Sequence, residues 1–282
     1  MSVMTGRIDS HLHLWDLDVS EYAWLTPSMG RLYSTFTPSE AGETLRVHEM
    51  EGAVLVQAED SVVDTQFMLD VAAANPWVVG VVGWVALDNP AVVHSQLDRW
   101  REYPVFCGVR HLINDDPRGD LLDRTEVRES LRELTRHSLP FDVHDAWPRH
   151  LDQATRLATE LPELLLVLDH LGKPPRHREG DNFARWSDAI GEFARRPNTV
   201  TKLSGLAREG YPLAREELMR TFDRVLDLFG PGRIMYGGDW PVAPDEYGVT
   251  LGVAEELISQ LSPSEQRQIM RETAVEVYRL GR

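Results

Sequence analysis

The chain has 282 residues, a formal net charge of −16, 42 % apolar residues and one cysteine. That apolar content excludes a mainly disordered chain, which cannot bury enough surface to offset its ordering entropy. The acidic field repels polyanions, so nucleic acid and anionic membranes are poor partners, and the lone thiol of Cys107 excludes an intrachain disulfide.

The first eight residues lack the apolar stretch of a signal peptide, and no window approaches the roughly 20 apolar residues of a membrane-spanning helix. The expectation is a cytoplasmic protein acting on a small-molecule substrate, and nothing in the sequence excludes a homo-oligomer. In chain order, short apolar runs predict strands at 6–9, 53–57, 78–85, 105–110, 141–144, 164–169, 200–203 and 234–236. Between them, amphipathic segments predict helices at 38–50, 63–74, 90–101, 126–137, 149–160, 182–195 and 213–229, with two more at 246–260 and 263–280. Thr37-Pro38-Ser39-Glu40 and Ser262-Pro263-Ser264-Glu265 carry helix-entry chemistry, and Gly230 is a natural stop. Cys107, inside the apolar run 104–109, reads as a buried structural thiol.

The runs Ala53-Val54-Leu55-Val56 and Leu164-Leu165-Leu166-Val167-Leu168 do not alternate with polar residues. Continuous apolar runs fit parallel strands buried on both faces. Eight such strands alternating with helices, and no G-x-G-x-x-G after an early strand, favour a (β/α)8 TIM barrel over a doubly wound open sheet. With no linker or low-complexity tract, the expectation is one such domain spanning residues 1–282.

In a (β/α)8 barrel, chemistry sits at the carboxyl ends of the strands. His11, His13, His111, His144 and His170 all fall there, as do Gln57, Arg110 and Asp239. In His11-Leu12-His13, residues two apart in an extended segment point the same way, so both imidazoles can meet one metal or one substrate. His170 ends the most apolar strand, and Lys173 follows in a loop that can wall a pocket. Gly237-Gly238 before Asp239 lets the backbone approach a ligand, and Trp240-Pro241 suggests a fixed loop. Asp142 and His144 share one face of the fifth strand. Arg110-His111 offers a donor fork beside an imidazole. Trp15 is a candidate pocket wall.

These residues are where a family resemblance enters. Ile8-Asp9-Ser10-His11-Leu12-His13-Leu14-Trp15-Asp16, Val56-Gln57-Ala58, Gly108-Val109-Arg110-His111, Leu168-Asp169-His170-Leu171-Gly172-Lys173-Pro174, Lys202-Leu203-Ser204-Gly205-Leu206 and Tyr236-Gly237-Gly238-Asp239-Trp240-Pro241-Val242 resemble the amidohydrolase superfamily. More narrowly, they resemble its amidohydrolase 2 branch, with its sugar-lactone and dicarboxylic-lactone hydrolases of the fuconolactonase and rhamnonolactonase kind. The resemblance implies a (β/α)8 barrel that hydrolyses a cyclic ester. It implies that His11, His13, His170 and Asp239 match metal or catalytic positions. No bridging carboxylate or lysine stands at the fourth strand, where Arg110-His111 lies, so a two-metal centre is not expected. That leaves no metal or one divalent ion, zinc or manganese. On this reading Asp239 is the base, His170 and His111 are catalytic imidazoles, and Trp15, Gln57, Arg110, His144, Lys173 and Trp240 surround the substrate. The competing readings are a metal-dependent decarboxylase of an unsaturated or aromatic acid, amide or imide hydrolysis, and a barrel that binds without catalysis.

Overall fold

The computed structural model describes residues 6–114, 116–176, 182–210 and 213–281. Eight strands, β1 (Arg7–Leu12), β2 (Met50–Val56), β3 (Val78–Gly83), β4 (Phe106–His111), β5 (Phe141–Val143), β6 (Leu166–Leu168), β7 (Thr199–Leu203) and β8 (Ile234–Tyr236), lie in sequence order in one sheet. Every neighbouring pair is parallel. Helices α1 (Pro38–Val47), α2 (Val62–Ala74), α3 (Pro90–Trp100), α4 (Thr125–Arg136), α5 (Leu151–Glu160), α6 (Asn182–Ala194), α7 (Arg215–Phe229) and α8 (Tyr247–Ile258) alternate with the strands. This is the expected (β/α)8 barrel.

The barrel closes between its first and last strands. Leu12 bridges Trp240 in parallel. The His13 amide donates to the Trp240 carbonyl, and the Asp239 amide donates to the His11 carbonyl, both at 2.8 Å. Inside, Ile8, Val54, Val56, Val82, Cys107, Val167, Val200 and Met235 form one apolar cluster drawn from every strand except β5. Residues of so many strands can touch only in the lumen. Ala274, Val277, Tyr278 and Leu280, from the end of the chain, plug its lower mouth. The larger outer core packs the helices against the other faces of the strands. Cys107 is buried, and its thiol is pushed up by that burial, in keeping with a structural role.

Local chemistry explains most boundaries. Thr37 and Ser262 each form a capping box with the glutamate three residues on, and Gly230 ends α7 at φ 64°. The first strand runs on through His11 and Leu12, beyond the expected 6–9, because the seam to Trp240 pairs that stretch. Helix α1 stops at Val47 rather than at residue 50, since Glu49 takes a left-handed turn (φ 56°) into β2. The expected last helix is divided by a π-helical turn at Gln268–Glu272 into α9 (Pro263–Arg267) and α10 (Thr273–Val277). Among the described residues no helix is long and apolar enough to cross a membrane.

Candidate active site

The end of β1 places His11 and His13 on the lumen side while Leu12 and Leu14 enter the outer core. Asp9 fixes this stretch to the last strand. Its carboxylate accepts from the Gly238 amide at 2.8 Å, the His11 amide at 2.9 Å and the Tyr247 hydroxyl at 2.9 Å. Burial still pushes this carboxyl up to about 6. The two imidazoles meet edge to face, centroids 4.7 Å apart, with their Nε2 atoms 3.0 Å apart. His13 Nδ1 lies 2.7 Å from the Val56 carbonyl, which can only accept, so His13 carries its proton there and Nε2 is bare. Asp239 Oδ1 stands 3.5 Å from His13 Nε2 and 3.8 Å from His11 Nε2. Burial lowers both histidines below their ordinary value, His11 further because Lys202 faces it.

His170 enters from the far side, its ring centroid 4.7 Å from that of His11. Ser204 Oγ lies 3.3 Å from its amide and 2.9 Å from its Nδ1. Two glycines make room for these rings. A Cβ on Gly237 would lie 2.6 Å from His11 Cβ, and one on Gly205, at φ +59°, 2.8 Å from His170 Cβ. Asp145, His170, Lys173 and Asp239 all hold positive φ, from 40° to 60°. Such conformations persist where surrounding structure over-determines them, commonly at functional sites.

Ligand atoms of His11, His170 and Asp239 lie within 4.8 Å of one another, two imidazoles and a carboxylate of the kind that hold zinc. The Ser204 hydroxyl can donate to or accept from His170 Nδ1, so that ring can offer Nε2 bare. His11 can do the same if its Nδ1 proton turns to Asp169 Oδ1, 3.4 Å away. The donor chemistry therefore fits one divalent ion. His13 lies outside this set of three, though its bare Nε2 adjoins it. A second set, His144, Asp145 and His170, shares His170 with the first.

Beneath the imidazoles lies a buried charge network of Lys202, Asp169 and Asp142, residues that the sequence motifs contain without assigning them a role. Lys202, fully buried in β7, contacts Asp142 Oδ2 at 2.6 Å, Asp169 Oδ1 at 3.1 Å and His11 Nδ1 at 2.9 Å. Asp142 also accepts from the Tyr278 hydroxyl at 2.7 Å. Burial pushes the Asp142 carboxyl up to about 6. Burial would raise Asp169 too, but Lys202, His11 and Arg110 together hold it well below the usual carboxylate range. Period-two alternation could have revealed Lys202. It lies two residues from both Val200 and Ser204, so it shares their inward face.

Above the imidazoles opens a cavity of about 820 Å³. His13, Trp15, Arg110, His144, His170, Lys173 and Asp239 line it, as the sequence led one to expect, together with Trp24, Met29, Arg31 and Arg208 from surrounding loops. Lys173 pairs with Asp145. His144 is held neutral, lowered to about 3 by burial. Arg110 is braced by the Gln57 carbonyl and by Asp169 Oδ2 at 3.3 Å.

Four expected residues do not line this cavity: His11 lies fully buried beneath it, and His111, Gln57 and Trp240 are held elsewhere. His111 turns outward, where Trp84 Nε1 donates to its Nδ1 at 3.2 Å and its Nε2 faces Asp60 at 3.3 Å and Asp116 at 3.6 Å. Adjacent strand residues point to opposite faces, so with Arg110 in the lumen His111 cannot be there too. Gln57 stands behind Arg110, its Nε2 donating to Asp60 at 3.0 Å. Trp240 packs against Phe36 beside the seam, centroids 5.4 Å apart. Its contact is with the loop wall, not the cavity.

Residues 8–280 match the family described as Amidohydrolase. The chain belongs to the amidohydrolase family. It is 32 % identical over 291 residues to an L-fucono-1,5-lactonase of Burkholderia ambifaria, covering 99 % of this chain and 97 % of that protein. An L-fucono-1,5-lactonase of Burkholderia multivorans is 31 % identical over 288 residues, covering 97 % of this chain and 96 % of that one. The crystal structure of an amidohydrolase from Burkholderia multivorans with bound zinc superposes at a TM-score of 0.89 and 30 % identity, covering 98 % of this chain and 100 % of that one. Within the amidohydrolase family, then, this chain has full-length likeness to lactonases and to a zinc-bound barrel.

Proposed function

We propose that this amidohydrolase opens a lactone, a sugar lactone first of all, to its hydroxy acid. The observation that carries the reading is the meeting of Asp239 with His11, His13 and His170 at the floor of an open cavity, in a chain alike along its length to two L-fucono-1,5-lactonases. The Asp239 carboxylate takes a proton from water as the water oxygen bonds to the lactone carbonyl carbon and the carbonyl electron pair moves onto its oxygen. In the ion-free chain His170 Nε2–H, its Nδ1 accepting from Ser204, donates to that oxygen. When the tetrahedral centre collapses, the ring C–O bond breaks and the proton on Asp239 passes to the departing alkoxide.

His11, His170 and Asp239 would hold a divalent ion, with His13 beside them. Such an ion supplies Lewis acidity toward a carbonyl oxygen. Arg110, His144 and Lys173 donate to the hydroxyls or ring oxygen of the substrate, and Trp15 gives one apolar face. Gln57 acts through Arg110, and His111 and Trp240 support the walls.

The test is a pH-indicator screen of the purified protein against sugar 1,5-lactones, 1,4-lactones and dicarboxylic lactones, with and without chelator. Acid release well above the spontaneous rate on at least one sugar lactone is expected. Carbon dioxide release from an unsaturated or aromatic acid, with no lactone opened, would replace this reading by the decarboxylase.

A further inference from the structure

The cavity above the imidazoles has two unlike walls. Trp24, Met29, Leu32, Val242 and Pro244 line one arc. They stand on the segments that follow β1 and β8, the two strands that meet where the barrel closes. His144, Asp145, Lys173, Arg208 and Glu209 line another arc, on the segments that follow β5, β6 and β7. Strand order therefore sets an apolar wall across the mouth from a charged one.

The polar groups on the apolar arc are largely spent within the protein. An indole has one N–H and no acceptor. Trp24 Nε1 donates to the Ala58 carbonyl at 2.6 Å, and Trp15 Nε1, behind it, to the Ser34 carbonyl at 2.7 Å. Arg31 also lines the cavity, but its Nη1 donates to the Pro241 carbonyl at 2.6 Å and its Nη2 to those of Val242, at 3.3 Å, and Ala243. What this wall shows a ligand is mainly carbon, with the Met29 sulfur and a Ser28 hydroxyl that is 2.7 Å from the Thr26 hydroxyl. Met29 is 37 % exposed, and no residue of its short helical segment, Pro27–Leu32, is buried. Apolar side chains held in water at the rim of a cavity gain from a ligand that covers them. The volume, about 820 Å³, is that of sites for drug-sized ligands, so one lactone ring over His170 and Asp239 leaves this arc uncovered.

We propose that this arc is a subsite for an apolar group on the substrate: the lactone that fits carries an alkyl or aryl group larger than methyl on the ring carbon bonded to its ring oxygen. That carbon is where a sugar lactone bears its exocyclic carbon, so the ring hydroxyls remain for Arg110, His144 and Lys173 while the substituent lies along Trp24, Met29 and Leu32. A hydroxymethyl group in its place would lose hydrogen bonds to water and find few partners on this wall. The identity of the ring rests on the lactone-opening reading; the apolar subsite does not.

The experiment uses δ-lactams, which keep the ring and carbonyl of a lactone but resist opening. They carry hydrogen, methyl, ethyl, hydroxymethyl or pentyl on the ring carbon next to nitrogen, and their binding to the full chain is measured by calorimetry. Kd is expected to fall about two- to fourfold for each added carbon, as burial of a methylene predicts, and hydroxymethyl is expected to bind more weakly than ethyl. In Met29→Ser/Leu32→Ser, which removes the wall at two side chains that are not buried, the ratio of Kd between the unsubstituted and pentyl members is expected to shrink at least about fivefold. A Kd that does not fall along the wild-type series, a hydroxymethyl member that binds more tightly than ethyl, or a folded double variant that keeps the wild-type ratio overturns the proposal. If the double variant does not fold, the wild-type series decides. Because the lactams are not turned over, the two readings fail separately. Binding that tightens with alkyl length while no lactone is opened keeps the subsite and removes the lactone-opening reading. A lactone opened beside a flat lactam series removes the subsite alone.

Discussion

The backbone amide of Asp239 donates to the carbonyl of His11 at 2.8 Å, so the segment that follows the last strand is hydrogen-bonded to the end of the first at two residues of the site. Closure of the barrel and assembly of the site are the same event. Residues 228 positions apart are placed by backbone pairing rather than by side-chain contact, and Asp9 repeats the tie by accepting from the Gly238 and His11 amides. The Asp239 carboxylate is not part of this tie; it faces the imidazoles of His13 and His11 at 3.5 and 3.8 Å.

Asp239→Asn therefore removes a base without removing a brace. The variant is expected to unfold at the wild-type urea concentration while kcat falls about 100- to 10,000-fold, the range for loss of a general base. Steady-state rates on a confirmed lactone, with urea titrations of both proteins, check this. A variant that keeps full turnover takes Asp239 out of the base role.

Gly237 tests the seam from the other side. A Cβ there would lie 2.6 Å from His11 Cβ and 3.1 Å from Ser204 Cβ, both anchored on strands with little room to yield. Gly237→Ala is expected to cost about 1–3 kcal/mol of stability, as overpacking does. It should lower kcat/KM about 100-fold, because a shift near 1 Å misplaces His11. A stability loss with unchanged kcat/KM would show that the position of His11 matters little to the reaction.

How far the sequence reveals this site follows from strand geometry. The H-x-H at the end of β1 and the Asp after two glycines are visible because short motifs at strand ends carry their own spacing. Arg110 and His111 show the opposite. Both stand at the end of β4, and only alternation separates the one that enters the lumen from the one that turns to Trp84 and Asp60. Lys202 is the harder case. A lysine in an apolar strand looks like an exposed edge residue; alternation puts it on the face of Val200 and Ser204, but the carboxylates that offset its charge, Asp142 and Asp169, come from β5 and β6. Pairings across the barrel are tertiary, so no local pattern announces them. The same holds for the carboxyl-terminal segment, whose Tyr278 reaches Asp142 from the lower mouth.

Acid should loosen the fold partly through His144. Burial holds this ring neutral down to about 3, against an ordinary value of 6.5. Between those pH values the unfolded chain binds a proton there that the folded chain does not, so stability rises with pH across the window and is lost as pH falls through it. His11 and His13 act in the same direction. Asp9 and Asp64, pushed up to about 6 and about 7, act oppositely, since the folded chain keeps their protons longer. The contribution of His144 therefore has to be read as a difference. His144→Phe is expected to lose less stability than wild type between pH 7.5 and pH 5 in urea titrations. Equal losses would mean that the ring is not kept neutral.

Metal stoichiometry is the last expectation. The two sets of ligands that converge in the cavity, His11 with His170 and Asp239, and His144 with Asp145 and His170, both need His170. In the second, Asp145 is already paired with the Lys173 ammonium, which repels a cation. Arg110 Nη1 also lies 3.4 Å from His11 Nε2, adding positive charge to the floor. One divalent ion can be held by the first set; two cannot be held together. Zinc titrated into chelator-stripped protein should saturate at a single ion per chain, and His170→Ala should abolish that binding. His144→Phe should leave it within about threefold, because a residue outside the ligand set perturbs affinity less than the 10- to 100-fold seen for direct hydrogen-bond partners of ligands. Two ions per chain by calorimetry, or zinc retained without His170, would show that the cavity holds metal through a different set of side chains.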